Sequence, residues 1–356
     1  MTRNTHKSLA LSGITILAMT LAACGGGGSS TTTTGATTNS TITGGVANCA
    51  AVGTPETVSG APAGSALIGS CEIYNASTSP VSSVTAFRNP GTASPVVAST
   101  TGYSVDTPLV TGGSISVPLT SELKLAGGLQ AASLGDYAGR TFQVILNASN
   151  GGAATVYDYQ NTNGKDGSKF MNLVYSRFGL FSRFEDRYLG YYGGWIKGDS
   201  TATALPTGVV TFNGAMVGVI GPATTAPTGK IAGLSSKVSI TVDFSATPAK
   251  VTSIGLTTYG YSQNAVSVSG SPGISAVAEG AAAPSVSAIS GNDLSATFAI
   301  PATTSGSAVN TAILSGKFFG AGTTASELVG TLRFTTADGR NGIGSFGVKS
   351  GALLTP

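Results

Sequence analysis

Histidine and charged residues are nearly missing from this sequence. Only one of the 356 residues is histidine, His6, and 9% are charged, with a formal net charge of +3. So little histidine excludes Ser-His-Asp and Cys-His catalytic sites, His-bound zinc and His-bound haem. So small a positive excess argues against nucleic-acid binding, which needs a clustered basic face. The sequence therefore predicts no catalytic residue, no metal ligand and no cofactor.

The first 23 residues have the pattern of a secretion signal. Arg3, His6 and Lys7 give a positive start, and residues 9–19 form an uncharged apolar run. This run is shorter than the roughly 20 apolar residues that a membrane span needs. It leads to Leu-Ala-Ala-Cys, which ends at Cys24 and resembles the lipobox of bacterial lipoproteins. We expect residues 1–23 to be removed and Cys24 to carry a lipid; an ordinary secretory signal that ends near a cysteine is the alternative.

Residues 24–45 are predicted to be a flexible tether. They are almost wholly Gly, Ser and Thr and carry no charge. Such a segment cannot bury enough apolar surface to fold. By resemblance to other lipoproteins, Gly25 after the cysteine favours sorting to the outer membrane. Loss of the signal leaves 16 basic against 15 acidic residues, a formal charge of +1, and no histidine.

The two other cysteines, Cys49 and Cys71, are expected to form a disulfide, because both would lie in an oxidising compartment. Closing the loop between them would stabilise the fold by roughly 3 kcal/mol through the unfolded state. Two free buried thiols are the alternative.

Beyond the tether, the periodic segments predict strands. In the clearest one, Val238, Ile240 and Val242 alternate with polar residues, which is the period of a strand with one buried face. About eight strands fit the chain from Tyr188 onwards, enough to close an antiparallel barrel. Residues 261–292 are rich in Gly, Ala and Ser and predict a long loop, either functional or disordered. The predicted fold class is all-β.

Four short motifs follow one another in the second half. They are a Pro-Thr-Gly hairpin, a Gly-x-Phe-Phe-Gly strand, an Ala-x-Glu-x-x-Gly strand and a final Phe-Gly-Val strand. Their residues are Pro206, Thr207, Gly208, Gly316, Phe318, Phe319, Gly320, Ala325, Glu327, Gly330, Phe346, Gly347 and Val348. In this order the motifs resemble the β-barrel domain of the transferrin-binding protein B family of surface lipoproteins.

The resemblance implies a β-rich handle domain, residues 46–170, followed by an eight-stranded barrel domain, residues 171–356. It implies that the motif residues are structural: glycines permit tight turns and close backbone approach, and phenylalanines fill the barrel. The implied function is non-enzymatic capture of a host or environmental protein at the outer face of the outer membrane, with iron acquisition as one form of it. The alternatives are a module that binds haem through Tyr or Met, and a surface adhesin or structural lipoprotein.

A few other residues could carry chemistry. Glu185 and Asp186 are adjacent carboxylates, but Arg183 and Arg187 flank them, so a salt-bridged surface turn is favoured over an acid/base pair. Residues 161–167 are similar to a calcium loop in composition. A plain turn is favoured there, because a lysine stands where an oxygen ligand is needed.

Two further groups of residues could form binding surfaces. The first consists of aromatic residues that could stack on a ligand or line the barrel interior and rim: Tyr188, Tyr191, Tyr192 and Trp195. The second consists of basic residues that could form a recognition patch or a solvated face: Lys165, Lys169, Arg177, Arg183 and Arg187. For the aromatic residues, the lining of the barrel interior and rim is favoured. For the basic residues, a solvated face is favoured.

Overall fold

The all-β prediction is confirmed by the computed structural model. The structure describes residues 69–74, 84–88, 96–98, 101–107, 113–123, 133–134, 137–147, 152–164, 169–184, 189–198, 202, 204–221, 232–263, 266–267, 276–320 and 324–351. Within these ranges the only helix is a short 3-10 turn, Leu119–Ser121. It is not long and apolar enough to cross a membrane. The predicted signal and tether, with Cys24, and also Cys49, lie outside the described residues. Cys71 lies in a strand, and its disulfide stays a prediction.

In the part of the chain that the structure describes, eleven strands precede residue 200 and twelve follow it. The first eleven are β1 Gly69–Tyr74, β2 Val84–Arg88, β3 Val96–Ala98, β4 Gly102–Thr107, β5 Gly113–Pro118, β6 Ser133–Leu134, β7 Tyr137–Asn147, β8 Gly152–Gly164, β9 Lys169–Asn172, β10 Ser176–Phe184 and β11 Leu189–Gly198. Eight of them form an antiparallel sheet in the order β2-β1-β11-β10-β8-β7-β6, with β9 also paired to β8. We call this the handle sheet. Strands β3, β4 and β5 form a separate three-stranded sheet, the cover sheet.

Twelve strands follow. They are β12 Val209–Ile220, β13 Ala232–Asp243, β14 Lys250–Gln263, β15 Val266–Ser267, β16 Ala276–Val277, β17 Gly280–Ala282, β18 Val286–Ser290, β19 Asp293–Ile300, β20 Gly306–Ser307, β21 Val309–Phe319, β22 Glu327–Thr336 and β23 Asn341–Ser350. All but β16 and β20, which pair with each other, form one sheet in the order β15-β14-β13-β12-β23-β22-β21-β19-β18. This sheet returns on itself, because β17 pairs with β14 while the next strand, β18, pairs with β19. Eight strands surround an antiparallel barrel when β17 and β18 are counted as one broken strand and the two-residue β15, which pairs with the end of β14, is left out.

The barrel interior follows the alternation seen in the sequence. Val238, Ile240 and Val242 are buried, and the residues between them are partly exposed. On β19, Leu294, Ala296, Phe298 and Ile300 alternate in the same way. These side chains belong to a single hydrophobic cluster that fills the barrel. The prediction of one buried and one wet face is therefore confirmed for these strands.

A β-bulge on β14 interrupts this alternation. Thr258 has a φ of 54°, an unusual value for a β-branched residue, and the β13–β14 register shifts beside it. As a result Tyr259 and Tyr261 pack against the same barrel core as Leu256, although their numbers have the opposite parity. Part of the predicted loop, residues 261–292, is also structured, since it contains β15, β16, β17 and β18.

The described residues belong to one compact unit, built in three layers. One hydrophobic cluster lies between the cover sheet and the handle sheet. A second lies between the handle sheet and the outer wall of the barrel. Because β10 and β11 pair within the handle sheet, the strand pairing favours a domain boundary between Gly198 and Val209 over one near residue 170, and we propose it there.

Candidate functional site

Three of the motif residues, Phe319, Glu327 and Gly347, lie where the handle sheet meets the barrel, a region that we call the seam. Glu327, the first residue of β22, is only 3% exposed. Its carboxylate accepts hydrogen bonds from the backbone N–H groups of Val174 (2.6 Å) and Tyr175 (3.0 Å) and from the Ser176 hydroxyl (2.7 Å). Hydrogen bonds to a charged group contribute roughly 1.5–3 kcal/mol each. Glu327 therefore fastens the start of β10 to the barrel.

The adjacent phenylalanines of β21 point to opposite sides of the barrel wall. Phe318 packs in the barrel core, whereas Phe319 packs in the seam. The expectation that all the motif phenylalanines fill the barrel is therefore wrong for Phe319. The reason is the period of two along a strand, which sends neighbouring side chains to opposite faces. Gly198 of β11 makes room for the Phe319 ring, because a Cβ atom at Gly198 would overlap it.

In the last motif, on β23, neighbouring residues also face opposite sides of the barrel wall. Phe346 packs in the barrel core. Gly347 faces the handle, where a Cβ atom would overlap the Phe178 ring and lie 2.8 Å from Leu173 Cδ1. The neighbouring Ser345 hydroxyl donates a hydrogen bond to the Gly179 carbonyl at 2.5 Å. The glycine thus allows the handle sheet to approach the barrel wall directly.

Trp195, the only tryptophan of the chain, lies outside the barrel. It is fully buried between the handle and cover sheets, in a cluster that includes Phe142 and Phe181. Its indole N–H lies 3.1 Å from the carbonyl oxygens of Tyr157 and Leu180 and donates to both. The prediction that it alternates between barrel interior and rim is therefore wrong, because β11 belongs to the handle sheet.

A buried carboxylate lies at the edge of this handle core. Asp158 is 3% exposed and accepts hydrogen bonds from the Tyr103 hydroxyl (2.7 Å) and the Gln160 backbone N–H (2.9 Å). Arg177 Nη1 lies 3.6 Å from its Oδ2 atom. Burial, and then the nearby charge of Asp158, raise the pKa of Tyr103 well above its ordinary value. This cluster was not predicted from the sequence, although Asp158 follows a run of mainly apolar residues in β8 and was a visible signal.

A second cation lies beside this cluster and is paired within the handle. Arg140 contacts Glu122 through two hydrogen bonds of 3.0 and 2.9 Å, and these bonds raise the pKa of its guanidinium. The guanidinium also lies 4.9 Å from the centroid of the Phe142 ring, within cation–π range. This part of the handle therefore brings cations and carboxylates together at the margin of an apolar core.

The basic residues of the candidate patch that the structure describes do not lie side by side. Arg177 and Arg183 both lie on β10, and six residues of strand span roughly 20 Å. Lys169 is exposed on β9, and Lys165 and Arg187 lie outside the described residues. Arg177 instead lies directly opposite Lys197 of β11.

The other candidates are only partly described. Glu185, Asp186, Tyr188 and the end of the calcium-loop candidate lie outside the described residues, and Tyr191 and Tyr192 are placed only as backbone of β11. Among the described residues, no group of three or more His, Cys, Asp or Glu side chains could hold a metal ion.

One end of the barrel carries a polar cluster that the sequence did not reveal. The backbone N–H of Tyr259 donates to Glu279 Oε1 at 3.2 Å, and the hydroxyl of Tyr261 accepts from the Val277 N–H at 2.9 Å. The Tyr259 hydroxyl is buried and has no hydrogen-bond partner among the described residues. Burial is the main cause that raises the pKa of both tyrosines. These contacts hold the segment around β16 and β17 against β14.

The strand pairing defines an all-β protein in which a handle sheet packs against an eight-stranded antiparallel barrel. No family model matches the sequence, and no curated protein matches it. Solved structures do show similarity. One is the intact transferrin-binding protein B designated Ap, with N and C lobes: TM-score 0.37, 14% identity, covering 81% of this chain and 46% of the other.

Two further transferrin-binding protein B structures are similar. The isotype 1 protein of serogroup B Neisseria meningitidis gives a TM-score of 0.29 and 13% identity over 80% of this chain and 44% of the other. A single-site mutant of the Haemophilus parasuis Hp5 protein gives 0.36 and 14% over 82% and 46%. This chain therefore spans about half the length of these three structures.

Proposed function

We propose that this chain is a non-enzymatic, lipid-anchored surface protein that holds a host or environmental protein at the outer membrane. The observation that carries the proposal is the seam. Four motif residues that resemble the transferrin-binding protein B family, Phe319, Glu327, Phe346 and Gly347, join the handle to the barrel or fill its core. These residues thus serve to build a rigid scaffold, which leaves partner contacts to the surrounding loops.

The predicted anchor fits the same role. A lipid on Cys24 and a flexible segment up to residue 45 would hold the scaffold near the membrane and let it turn towards a partner. Capture of an iron-carrying protein is one form of this function. It would need no metal ligand in this chain, because the partner would hold the iron.

A capture experiment tests the proposal. The full chain is purified in mild detergent, immobilised, and exposed to serum and to culture lysate. The proteins that it retains are then identified. We expect one protein to be retained at a saturable level. Retention of nothing specific from either source would contradict the proposal. A haem titration that produces a Soret shift at micromolar haem would instead support the haem-binding alternative.

A further inference from the structure

The barrel ring is closed incompletely where β17 and β18 meet β14. β17 pairs with residues 254–256 of β14. β18 pairs with β19 on one side and, among the described residues, with no strand on the other. The β14–β17 register, continued along the chain, places Val286 of β18 opposite Lys250, the first residue of β14. Residues 287–290 therefore extend past the start of β14, where no described strand can pair with them.

The outer side of β18 offers unpaired backbone groups. In an antiparallel edge strand, alternate residues point their N–H and C=O groups away from the neighbouring strand. Val286, Ala288 and Ser290 are exposed, Val286 by 56%. Ile289 packs against the barrel core and so holds the strand in place. β18 is thus an extended strand, fixed on one side and free on the other.

Each other edge strand that the structure describes has a feature that discourages pairing. Natural proteins blunt sheet edges with charged residues, with proline or with very short strands. β2 contains Arg88, β9 contains Lys169, and β5 ends at Pro118. The remaining edge strands have three residues or fewer: β3, β6, β15, β16, β17 and β20. β18 has five residues, none of them charged or proline, and lacks all three features.

We propose that the free side of β18 is a docking edge that receives an extended segment of the captured protein as an added strand. Main-chain hydrogen bonds would hold this segment, and its alternate side chains would set the specificity. Residues 251–292 contain only one charged residue, Glu279, so the surroundings favour a segment without charge. The proposal rests on the proposed function and names one contact through which it would act.

A second copy of this chain is the competing occupant of the docking edge. A strand of five residues is roughly 17 Å long. Pairing of two such strands is too small by itself to bury the roughly 1,200–2,000 Å² of a stable interface. A captured protein would add contacts with the surrounding loops, so the docking edge can be one part of a larger interface. The small size of the edge therefore favours a captured protein over a second copy.

Fluorescence anisotropy of a labelled peptide, titrated with the full chain in mild detergent, tests the docking edge. The peptide has five alternating threonines and valines between two terminal lysines, a composition that favours an extended strand. Its matched control carries N-methyl groups on all five central residues, which removes the donors that strand pairing needs. We expect saturable binding of the first peptide alone.

Two charge-matched variants locate the binding. Ala288→Lys places a charge on the docking edge and should weaken peptide binding by about tenfold or more. Thr211→Lys adds the same charge at an exposed position of β12, a strand that is paired on both sides, and should leave binding unchanged. Circular dichroism checks that both variants are folded. If Ala288→Lys is not folded, Ser290→Lys, at another exposed position of β18, takes its place.

The other outcomes overturn the docking edge. Absence of peptide binding, equal binding of the N-methylated peptide, or equal binding by Ala288→Lys contradicts it. Light scattering that shows a dimer of the unchanged protein and a monomer of Ala288→Lys would assign the edge to a second copy. Capture of a protein from serum or lysate that Ala288→Lys leaves unchanged would refute this inference alone and leave the proposed function standing.

Discussion

Gly198 of the handle sheet and Phe319 of the barrel wall fit together so closely that a single added methyl group would overlap the ring. Phe319 is 3% exposed and is the only motif phenylalanine of β21 that points out of the barrel. The two residues come from strands of different sheets, β11 and β21. The missing side chain at Gly198 therefore allows the two sheets to pack this closely.

Gly198→Ala should therefore destabilise the protein. Overpacking of a filled interface costs typically about 1–3 kcal/mol, and the free energy of unfolding in a denaturant titration measures it. Gly255→Ala is the matched control, because a Cβ atom there would meet its nearest neighbours, Ala281 and Ser239, at an ordinary 3.7 Å. Equal stability of the two variants would show that the seam yields easily at Gly198.

Glu327→Ala should be more damaging than a typical surface change. It removes the acceptor of two backbone N–H groups and the Ser176 hydroxyl, and leaving buried donors unsatisfied costs about 1–3 kcal/mol each. We expect a loss of several kcal/mol in unfolding free energy for Glu327→Ala, and about 1 kcal/mol for Ser176→Ala. Glu279→Ala, which removes an exposed carboxylate with one backbone donor, is the control. A Glu327→Ala variant as stable as that control would contradict the role of Glu327 in the seam.

Trp195 reports on the handle because it is the only tryptophan and is fully buried there. We expect blue-shifted emission in the native state. Because the seam joins handle and barrel, tryptophan fluorescence and far-ultraviolet circular dichroism should follow the same denaturant transition. Two separated transitions would mean that the handle and the barrel unfold independently.

Tyr103 should make the handle sensitive to alkali. Its pKa is raised by burial and by Asp158, so the folded protein keeps the phenol neutral at pH values where the unfolded chain has lost the proton. Its contribution is complete below the unfolded pKa of about 10 and is lost as the pH rises above that value. Denaturant midpoints measured from neutral to alkaline pH should therefore fall.

Tyr103→Phe is the variant that isolates this effect. It should be less stable at neutral pH by about 1–3 kcal/mol, because Asp158 loses a donor. Its midpoint should then fall less steeply with alkaline pH than that of the unchanged protein. Parallel slopes for the two proteins would assign the alkaline sensitivity to other tyrosines, such as Tyr259.

The strand pattern was predictable where one face of a strand meets the core and the other meets water. Val238 and Ile240 alternate with polar residues, and that is sufficient to predict β13. The bulge at Thr258 was not predictable, because nothing in the local sequence requires a positive φ there. A single inserted residue then reverses which side chains of β14 face inward.

The site was predictable as a set of residues but not as a set of contacts. The motif around Glu327 was visible, yet its partners lie about 150 residues earlier in the chain and carry no signal that points to it. Phe319 and Trp195 were assigned to the barrel for the same reason. A strand that packs on two sides has apolar residues on both faces, and the sequence does not say which layer each face meets.

Two long-range contacts also set an order of assembly: the pairing of β12 with β23 and the hydrogen bonds that Glu327 accepts from the start of β10. The barrel strand β12 cannot pair with β23 until the end of the chain is present. The start of β10 likewise cannot bond to Glu327 until β22 is present. Such long-range closures are slow, because much chain must be gathered before they form. In a chain exported as proposed, the barrel would therefore stay open until the final strands arrive, and only their arrival would fix the handle and the barrel together.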